Sequence, residues 1–272
     1  MIVRVRMELS SLERRERIVD QVAHGAVSVA DLVRQFGVSE MTVRRDLAAL
    51  EHEGKLVRVH GGAISCRRLA NEYSFRVKES HSVEAKRLIG ETAAELIRPM
   101  DVVFVDTGST ALAVARALAR RNPRVMITSN LAAAMEMVGT NIRILVAGGE
   151  LSPHSPDLYG EWTLQILSTV NVDVAFFGCD AVDPATGFYA SDTRSAAVAR
   201  LMMSRSERKY LLADSTKFGR RAMCLVAPLA ELSGVITDQG LAEQFRTPLS
   251  RTGAQVWYSD VTTGVPAGRP LG

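Results

Sequence analysis

The sequence predicts an α/β protein: an N-terminal winged helix-turn-helix domain followed by a larger, mainly parallel-sheet domain of Rossmann type. Three observations carry this. Two capped helical patterns are joined by a tight Gly37-Val38-Ser39 turn, and a strand-like alternation ending at Gly61-Gly62 follows them directly. From Val102 onward, short apolar runs alternate with helical stretches almost to the end of the chain.

The 272 residues, 47% hydrophobic and 23% charged, match a soluble globular protein with room for more than one domain, which excludes disordered, collagen-like and small disulfide-rich chains. No run of about 18 uninterrupted apolar residues is present. The stretch Met1 to Arg6 is broken by Arg4 and Arg6 and lacks the long apolar core of a secretory signal, so a cytoplasmic protein is expected. Cys66, Cys179 and Cys224 are odd in number and far apart, with no His or Cys at zinc-ligand spacing, and read as reduced thiols. The net charge of +3 sits at the front: residues 1 to 68 hold 12 Lys and Arg against 9 Asp and Glu, and the remaining 21 of each sign cancel. So small a surplus says little by itself about a polyanion partner.

The first helix is predicted over Leu12 to Ala23, where Leu12, Ile18, Val19, Val22 and Ala23 form one apolar stripe before His24-Gly25. Ser28, with Asp31 at capping-box spacing, opens a second helix through Leu32, Val33 and Phe36 that Gly37 ends. Ser39 caps a third, Glu40 to Glu53, with Val43, Leu47 and Leu50 inward and Gly54 at its end. Rotation of about 100° per residue puts Met41, Arg45 and Ala48 opposite that stripe, with Thr42 and Arg44 on its flanks. An isolated basic helix face is more often simply solvated; behind a capped turn it suits the major groove, where Arg reads guanine and hydroxyls reach bases or phosphate. Asp46, beside the stripe, is expected to orient an arginine or cap a neighbouring element rather than face DNA. The following Lys55 to Ile64 alternates apolar Leu56, Val57 and Val59 with Lys55, Arg58 and His60, as in a wing touching the sugar-phosphate backbone; a structural hydrogen bond is the other reading of His60.

The run Ser39 to Ile64, SEMTVRRDLAALEHEGKLVRVHGGAI, resembles the DNA-binding signature of the DeoR family of bacterial transcription regulators. The resemblance implies a winged helix-turn-helix and gives Ser39, Thr42, Arg44 and Arg45 the DNA-facing role.

Cys66 to Asn71 has no periodicity and reads as a linker, giving expected boundaries of 8–65, 66–73, 74–260 and a tail at 261–272. Strands are predicted at Val102 to Val105, Val125 to Thr128, Ile142 to Ala147, Val172 to Phe177, Tyr210 to Ala213, Val235 to Thr237 and Val256 to Tyr258. Helices are predicted at Ala111 to Arg120, Ala132 to Val138, Trp162 to Ser168 and Ala196 to Ser204. Ligands of such sheets sit beyond the carboxyl ends of the strands. Those ends read Asp106-Thr107-Gly108-Ser109-Thr110, Thr128-Ser129-Asn130, Gly148-Gly149-Glu150, Gly178-Cys179-Asp180 and Asp214 to Gly219. Amides and hydroxyls of the first can surround a phosphate, Lys217 can add a full charge, and Asp106 and Asp180 can accept from sugar hydroxyls. Each piece is also an ordinary cap or turn, and their agreement at successive strand ends favours a pocket. Lys86, by pattern alone, reads as a solvated lysine. Neither a Walker P-loop nor a GxGxxG fingerprint occurs, and no cofactor is expected.

The DeoR resemblance continues over roughly Phe75 to Asp238, carried by Lys86, DTGST, TSN, GGE, the Gly178 to Asp180 turn and ADSTKFG. It implies a sensor domain similar to sugar-phosphate isomerases that binds a phosphorylated sugar without converting it. The effector role falls on Asp106, Thr107, Gly108, Ser109, Thr110, Ser129, Asn130, Gly149, Asp180 and Lys217, with Lys86. The chain departs from the family at Ser195 and Ala199, where many members have Glu and Lys, and at Ala181, where Gly is common. The function expected is a carbohydrate-operon repressor, with operator DNA, a small-molecule effector and further copies of itself as partners. The alternative is an isomerase-like enzyme with an appended DNA-binding domain, for which Asp106 and Asp180 are the acids at hand.

Overall fold

The computed structural model describes residues 10–259 apart from 25–26, 54, 60, 66–74, 119 and 122. The predicted linker 66–73 and tail 261–272 lie outside the described residues, as do Gly25, Gly54, His60 and Cys66. The chain forms two compact units, Met1–Ser74 and Phe75–Gly272.

In the first unit, α1 (Ser11–His24), α2 (Val29–Phe36) and α3 (Glu40–His52) enclose a core of Ile18, Val22, Leu32, Val43, Leu47 and Leu50. Both predicted caps form: the Ser28 hydroxyl accepts from Asp31 N at 3.0 Å and the Ser39 hydroxyl from Thr42 N at 3.2 Å. Gly37 closes α2 in the left-handed conformation, φ 68°. The wing strands β2 (Leu56–Val59) and β3 (Gly62–Ser65) are joined by β1 (Val27–Ser28), giving the order β1-β3-β2. A two-residue strand leaves no period to read, so only the hairpin was visible in sequence.

In the second unit, α4 (Phe75–Ser80) and α5 (Val83–Glu95) precede β4 (Val102–Val105), α6 (Ser109–Leu118), β5 (Val125–Thr128), α7 (Leu131–Met135), β6 (Arg143–Val146), β7 (Glu150–Leu151), β8 (Leu158–Tyr159), α8 (Glu161–Ser168) and β9 (Val172–Phe177). Then come β10 (Ala181–Asp183), β11 (Gly187–Ala190), α9 (Thr193–Arg205), β12 (Ser206–Leu212), β13 (Cys224–Ala227), β14 (Gly234–Asp238), α10 (Glu243–Ser250) and β15 (Gln255–Ser259). Seven strands form one parallel sheet in the order β15-β14-β12-β9-β4-β5-β6. Both faces are covered, as continuous apolar runs require. Val103, Val105, Phe176 and Tyr210 pack with Ile89, Leu112 and Val114 on one side; Phe104, Phe177 and Leu211 pack with Ala196, Met202 and Phe188 on the other.

Every predicted strand and helix is present with small shifts. The helix expected to reach Val138 stops at Met135 and becomes a turn, and β12 starts at Ser206, whose polar neighbours hid it. The antiparallel sheet β10-β11-β13 and the β7-β8 ribbon are additions. The chain runs outward through β4, β5 and β6, then returns to the far side of β4 with β9. The carboxyl ends of β4 and β9 therefore flank the switch point, where α/β sheets open a crevice.

Candidate functional site

The basic face of α3 emerges as predicted. Met41, Arg44 and Arg45 are exposed, and Val43, Leu47 and Leu50 are buried beneath them. Among the described residues Arg45 has no carboxylate partner, whereas Arg44 pairs with Glu40 at 2.6 Å, one turn back. The Ser39 and Thr42 hydroxyls lie 2.9 Å apart, so the cap that starts the helix also presents its two hydroxyl groups together. Asp46 is buried and accepts from Arg14 Nε at 2.6 Å and Arg15 Nε at 3.0 Å, so of its two expected roles it orients arginines, and it ties α3 to α1. On the wing side, Lys55 pairs with Glu53 at 2.8 Å and Arg58 Nε with Glu51 at 2.9 Å. Hydrogen bonds from Arg58, its backbone N–H foremost, hold the Glu51 carboxyl below its ordinary range. Both cations would have to exchange a carboxylate for a phosphate, at small cost for exposed pairs.

In the second unit the β4 end supplies Asp106, whose N–H donates to Phe176 O at 3.1 Å and whose Oδ2 accepts from Gly178 N at 3.3 Å, joining the two strands at the switch point. Its other oxygen, Oδ1, is buried with no hydrogen-bond partner among the described residues, and so is the Ser129 hydroxyl at the neighbouring β5 end. Burial, reinforced by Asp157 and Asp180, pushes Asp106 up to about 7. Thr107 and Gly108 are half-buried, and Ser109 and Thr110 open α6, where the first amides of a helix have no internal acceptor. Gly108 has φ 92° and a Cβ there would meet nothing within 4 Å, so conformation rather than crowding calls for glycine.

Asn130 is buried and fully engaged: Oδ1 caps α7 through Ala133 N at 2.7 Å, and Nδ2 donates to Asp157 Oδ1 at 2.5 Å. Gly149 (φ 145°) is a packing position, since a Cβ would lie 2.0 Å from Thr163 Oγ1 and 2.4 Å from Tyr159 O. Asp180 bonds Lys78 Nζ at 2.5 Å and Ser191 N at 2.7 Å; burial works to raise its carboxyl, but these partners hold it below the ordinary range. Lys217 ends the short 3-10 turn that Asp214 caps, and its charge is felt at Lys86.

Lys86 is not the solvated lysine that the pattern suggested. It is 5% exposed, and its ammonium donates to the carbonyls of Lys78 and His81, the latter at 2.7 Å. The packing of α5 turns it inward, and the end of α4 receives it. Burial pulls it down to about 8, opposed by Asp214 and helped by Lys217 and Lys78.

Lys78, Asp157, Tyr159 and Asp192, which sequence reading passed over, also enter. Lys78 binds Asp180. Asp157, buried and with its carboxyl raised by that burial, accepts from the Tyr159 hydroxyl at 3.2 Å. The Ser195 hydroxyl bridges Tyr159 OH at 3.1 Å and Asp192 Oδ2 at 2.6 Å, while Ala199 is a core residue. The only sequence signal for Asp157 and Tyr159 was their place after the GGE turn. A groove of about 620 Å³ lies between α5 and α6 and shares Lys86 and Ser109 with the strand-end cluster. Its other charges largely satisfy one another, as in Arg87 with Glu84 and Glu91 or Arg116 with Glu79 and Glu136, which makes it a poorer ligand site.

Cys179 and Cys224 are free thiols. Among the described residues no group of His, Cys, Asp or Glu could hold a metal ion, and no helix is long and apolar enough to cross a membrane.

Comparison with known proteins matches both units. Residues 14–68 match the DeoR-like helix-turn-helix domain and residues 81–239 the DeoR C terminal sensor domain. The chain is 34% identical to the HTH-type transcriptional regulator YgbI of Escherichia coli, over 85% of this chain and 91% of that protein. It is 32% identical to the Glycerol-3-phosphate regulon repressor of the same species, over 85% of this chain and 92% of that protein. With the HTH-type transcriptional regulator GlpR of Haloferax volcanii it shares 31% identity, over 90% and 96% of the two chains. A capped helix with exposed arginines in one unit and a parallel sheet with polar strand ends at its switch point in the other, each matched by a family domain, place this chain in the DeoR family of helix-turn-helix transcriptional regulators.

Proposed function

We propose that the chain represses carbohydrate-use genes and that a phosphorylated sugar or polyol in the crevice of the sensor domain sets its grip on DNA. The observation that carries this is a pair of buried, unpartnered polar atoms, Asp106 Oδ1 and Ser129 Oγ, at adjacent strand ends. Buried polar atoms without partners are rare, and a ligand's hydroxyls would satisfy both. Lys86 and Lys217, with the start of α6, supply a cationic side for a phosphate. The relative named for glycerol 3-phosphate points to the same ligand class.

Arg45 and the hydroxyls of Ser39 and Thr42 read bases, while Arg44, Lys55, Arg58 and His60 steady the backbone. DNA binding is assigned to residues 8–65 and sensing to 74–260, connected by 66–73, and the protein works in the cytoplasm. Two recognition helices reach successive major grooves about 34 Å apart only in a homo-oligomer. Control follows from linkage: a ligand that prefers the arrangement unable to bind DNA lowers operator affinity by the ratio of its two affinities. The test is a thermal-shift screen of sugar phosphates, followed by footprinting upstream of the chain's own gene with each stabilising compound. Protection that a stabilising compound relieves supports the reading, and protection insensitive to all of them refutes it.

One observation favours turnover instead: an acid with a pKa near 7 at the crevice, Asp106, is suited to proton transfer. Conversion of pentose or hexose phosphates by the purified chain at ordinary enzymatic rates would establish that reading. The regulator reading is preferred because the relatives matched over 85% to 90% of this chain carry regulator names.

A further inference from the structure

The short helix α4 is the first described element after residues 66–74, so the chain coming from the DNA-binding unit enters the sensor unit through it. It is also fastened to the crevice. Lys78 on α4 bonds Asp180, 102 residues later at the end of β9, at 2.5 Å, with the two side chains 26% and 20% exposed. Lys86, from α5, donates to the carbonyls of Lys78 in α4 and of His81 just past its end. Among the described residues, further ties hold the helix: buried Phe75 at its start, an exposed pair between Glu79 and Arg116 at 2.8 Å, and a hydrogen bond between His81 Nδ1 and Val77 O at 2.7 Å. The charge of Glu79 is also felt at Lys86.

We propose that Lys78 is a latch between the crevice and the entry helix: it neutralises Asp180 when the crevice is empty, and an anionic ligand takes its ammonium, freeing α4 to pivot on Phe75. The proposal rests on the crevice being the effector site. The chemistry is competition for one cation. The Lys78 ammonium satisfies Asp180 at present, and a phosphate entering beside Lys86 and Lys217 offers three oxygens and more charge. A hydroxyl of the same ligand can then donate to Asp180, so neither member of the opened pair is left bare. Lys86 spends two of its three N–H groups on the carbonyls of Lys78, in α4, and His81, just past its end, and the third can face the anion. Its hold on α4 thus also depends on what fills the crevice. A helix of six residues has few internal bonds to keep its place once such ties go. Its displacement changes the angle at which the chain enters the sensor unit, which supplies a route from ligand to DNA-binding unit.

The experiment uses the full chain and compares wild type, Lys78→Met and Lys78→Arg by amide hydrogen exchange of the peptide spanning 75–81, and by affinity for a duplex from upstream of the chain's own gene. Lys78→Met is expected to speed exchange of that peptide roughly three- to tenfold, as loss of a partly buried pair implies, leaving 87–95 unchanged. It is expected to weaken ligand-free operator binding by a similar factor, and Lys78→Arg should restore both. Inorganic phosphate, against sodium chloride at matched ionic strength, should speed the same peptide in wild type and not in Lys78→Met. Unchanged exchange in Lys78→Met, or no phosphate effect in wild type, overturns the latch; faster exchange with unaltered operator affinity overturns its coupling to DNA. If wild type itself binds no duplex, the regulator reading fails, while the exchange comparison still decides the latch.

Discussion

Replacing Asp106 by Asn tests whether the crevice is strained in the absence of ligand. In the ligand-free protein Asp106 is buried, with one oxygen unpartnered, and its pKa is displaced from the ordinary 3.8 to about 7. At about 1.4 kcal/mol per pH unit, ionising this group costs the fold roughly 4 kcal/mol. The sign follows from linkage. Below the unfolded value both states are protonated and nothing is lost; between 3.8 and about 7 only the unfolded state ionises, so stability falls as pH rises, and above about 7 the loss is complete. Asn keeps an acceptor for the Gly178 amide and removes the charge, but leaves an amide group without a partner, which reduces the expected gain to about 1–3 kcal/mol. Near pH 8 that is a rise of about 3–9 °C in the sensor domain's melting temperature. Differential scanning calorimetry of both proteins from about pH 5 to 8 should show the advantage shrinking below pH 7 by up to about 1.4 kcal/mol per unit. The same substitution should abolish stabilisation by any sugar phosphate that binds wild type. A variant less stable than wild type at pH 8, or a pH-independent difference, would refute the idea of a buried acid waiting for a ligand.

Asp46→Ala removes a carboxylate shared by Arg14 and Arg15 inside the first unit, so urea unfolding of that unit should be easier by about 2–4 kcal/mol, less than a wholly buried pair because Arg15 is 28% exposed. Arg45→Ala should cost about 1–3 kcal/mol in operator binding and flatten base preference; an equal loss on every sequence, read by competition titrations, would make Arg45 a phosphate contact. Gly149→Ala puts a Cβ 2.0 Å from Thr163 Oγ1 at φ 145°, and a loss of at least about 2 kcal/mol in thermal stability is expected.

Local chemistry was legible in the sequence. Ser28, Ser39 and Gly37 announce helix ends because caps act within a few residues, and the strand-end loops stand out because each follows a continuous apolar run. The place of Asp46 beside the Val43–Leu47–Leu50 stripe narrowed it to orienting an arginine or capping an element, while its partner Arg14, 32 residues away, was not legible. What escaped depends on distant partners. Lys86 looked solvated because helical phase cannot say that the carbonyls of Lys78 and His81 close over it. Lys78 meets Asp180 only through the sheet order that brings the β9 end beneath α4, and Asp157 gains meaning from Asn130 across a turn. The strands of the β10-β11-β13 sheet are three or four residues long, too short to establish a period.

The most direct test measures operator affinity of the full chain with and without a sugar phosphate already known to stabilise the sensor domain, in wild type and in Lys217→Met. The account requires at least a tenfold weakening, about 1.4 kcal/mol of coupling, in wild type, and its loss in the variant. A compound that stabilises the sensor domain yet leaves operator affinity unchanged would contradict it.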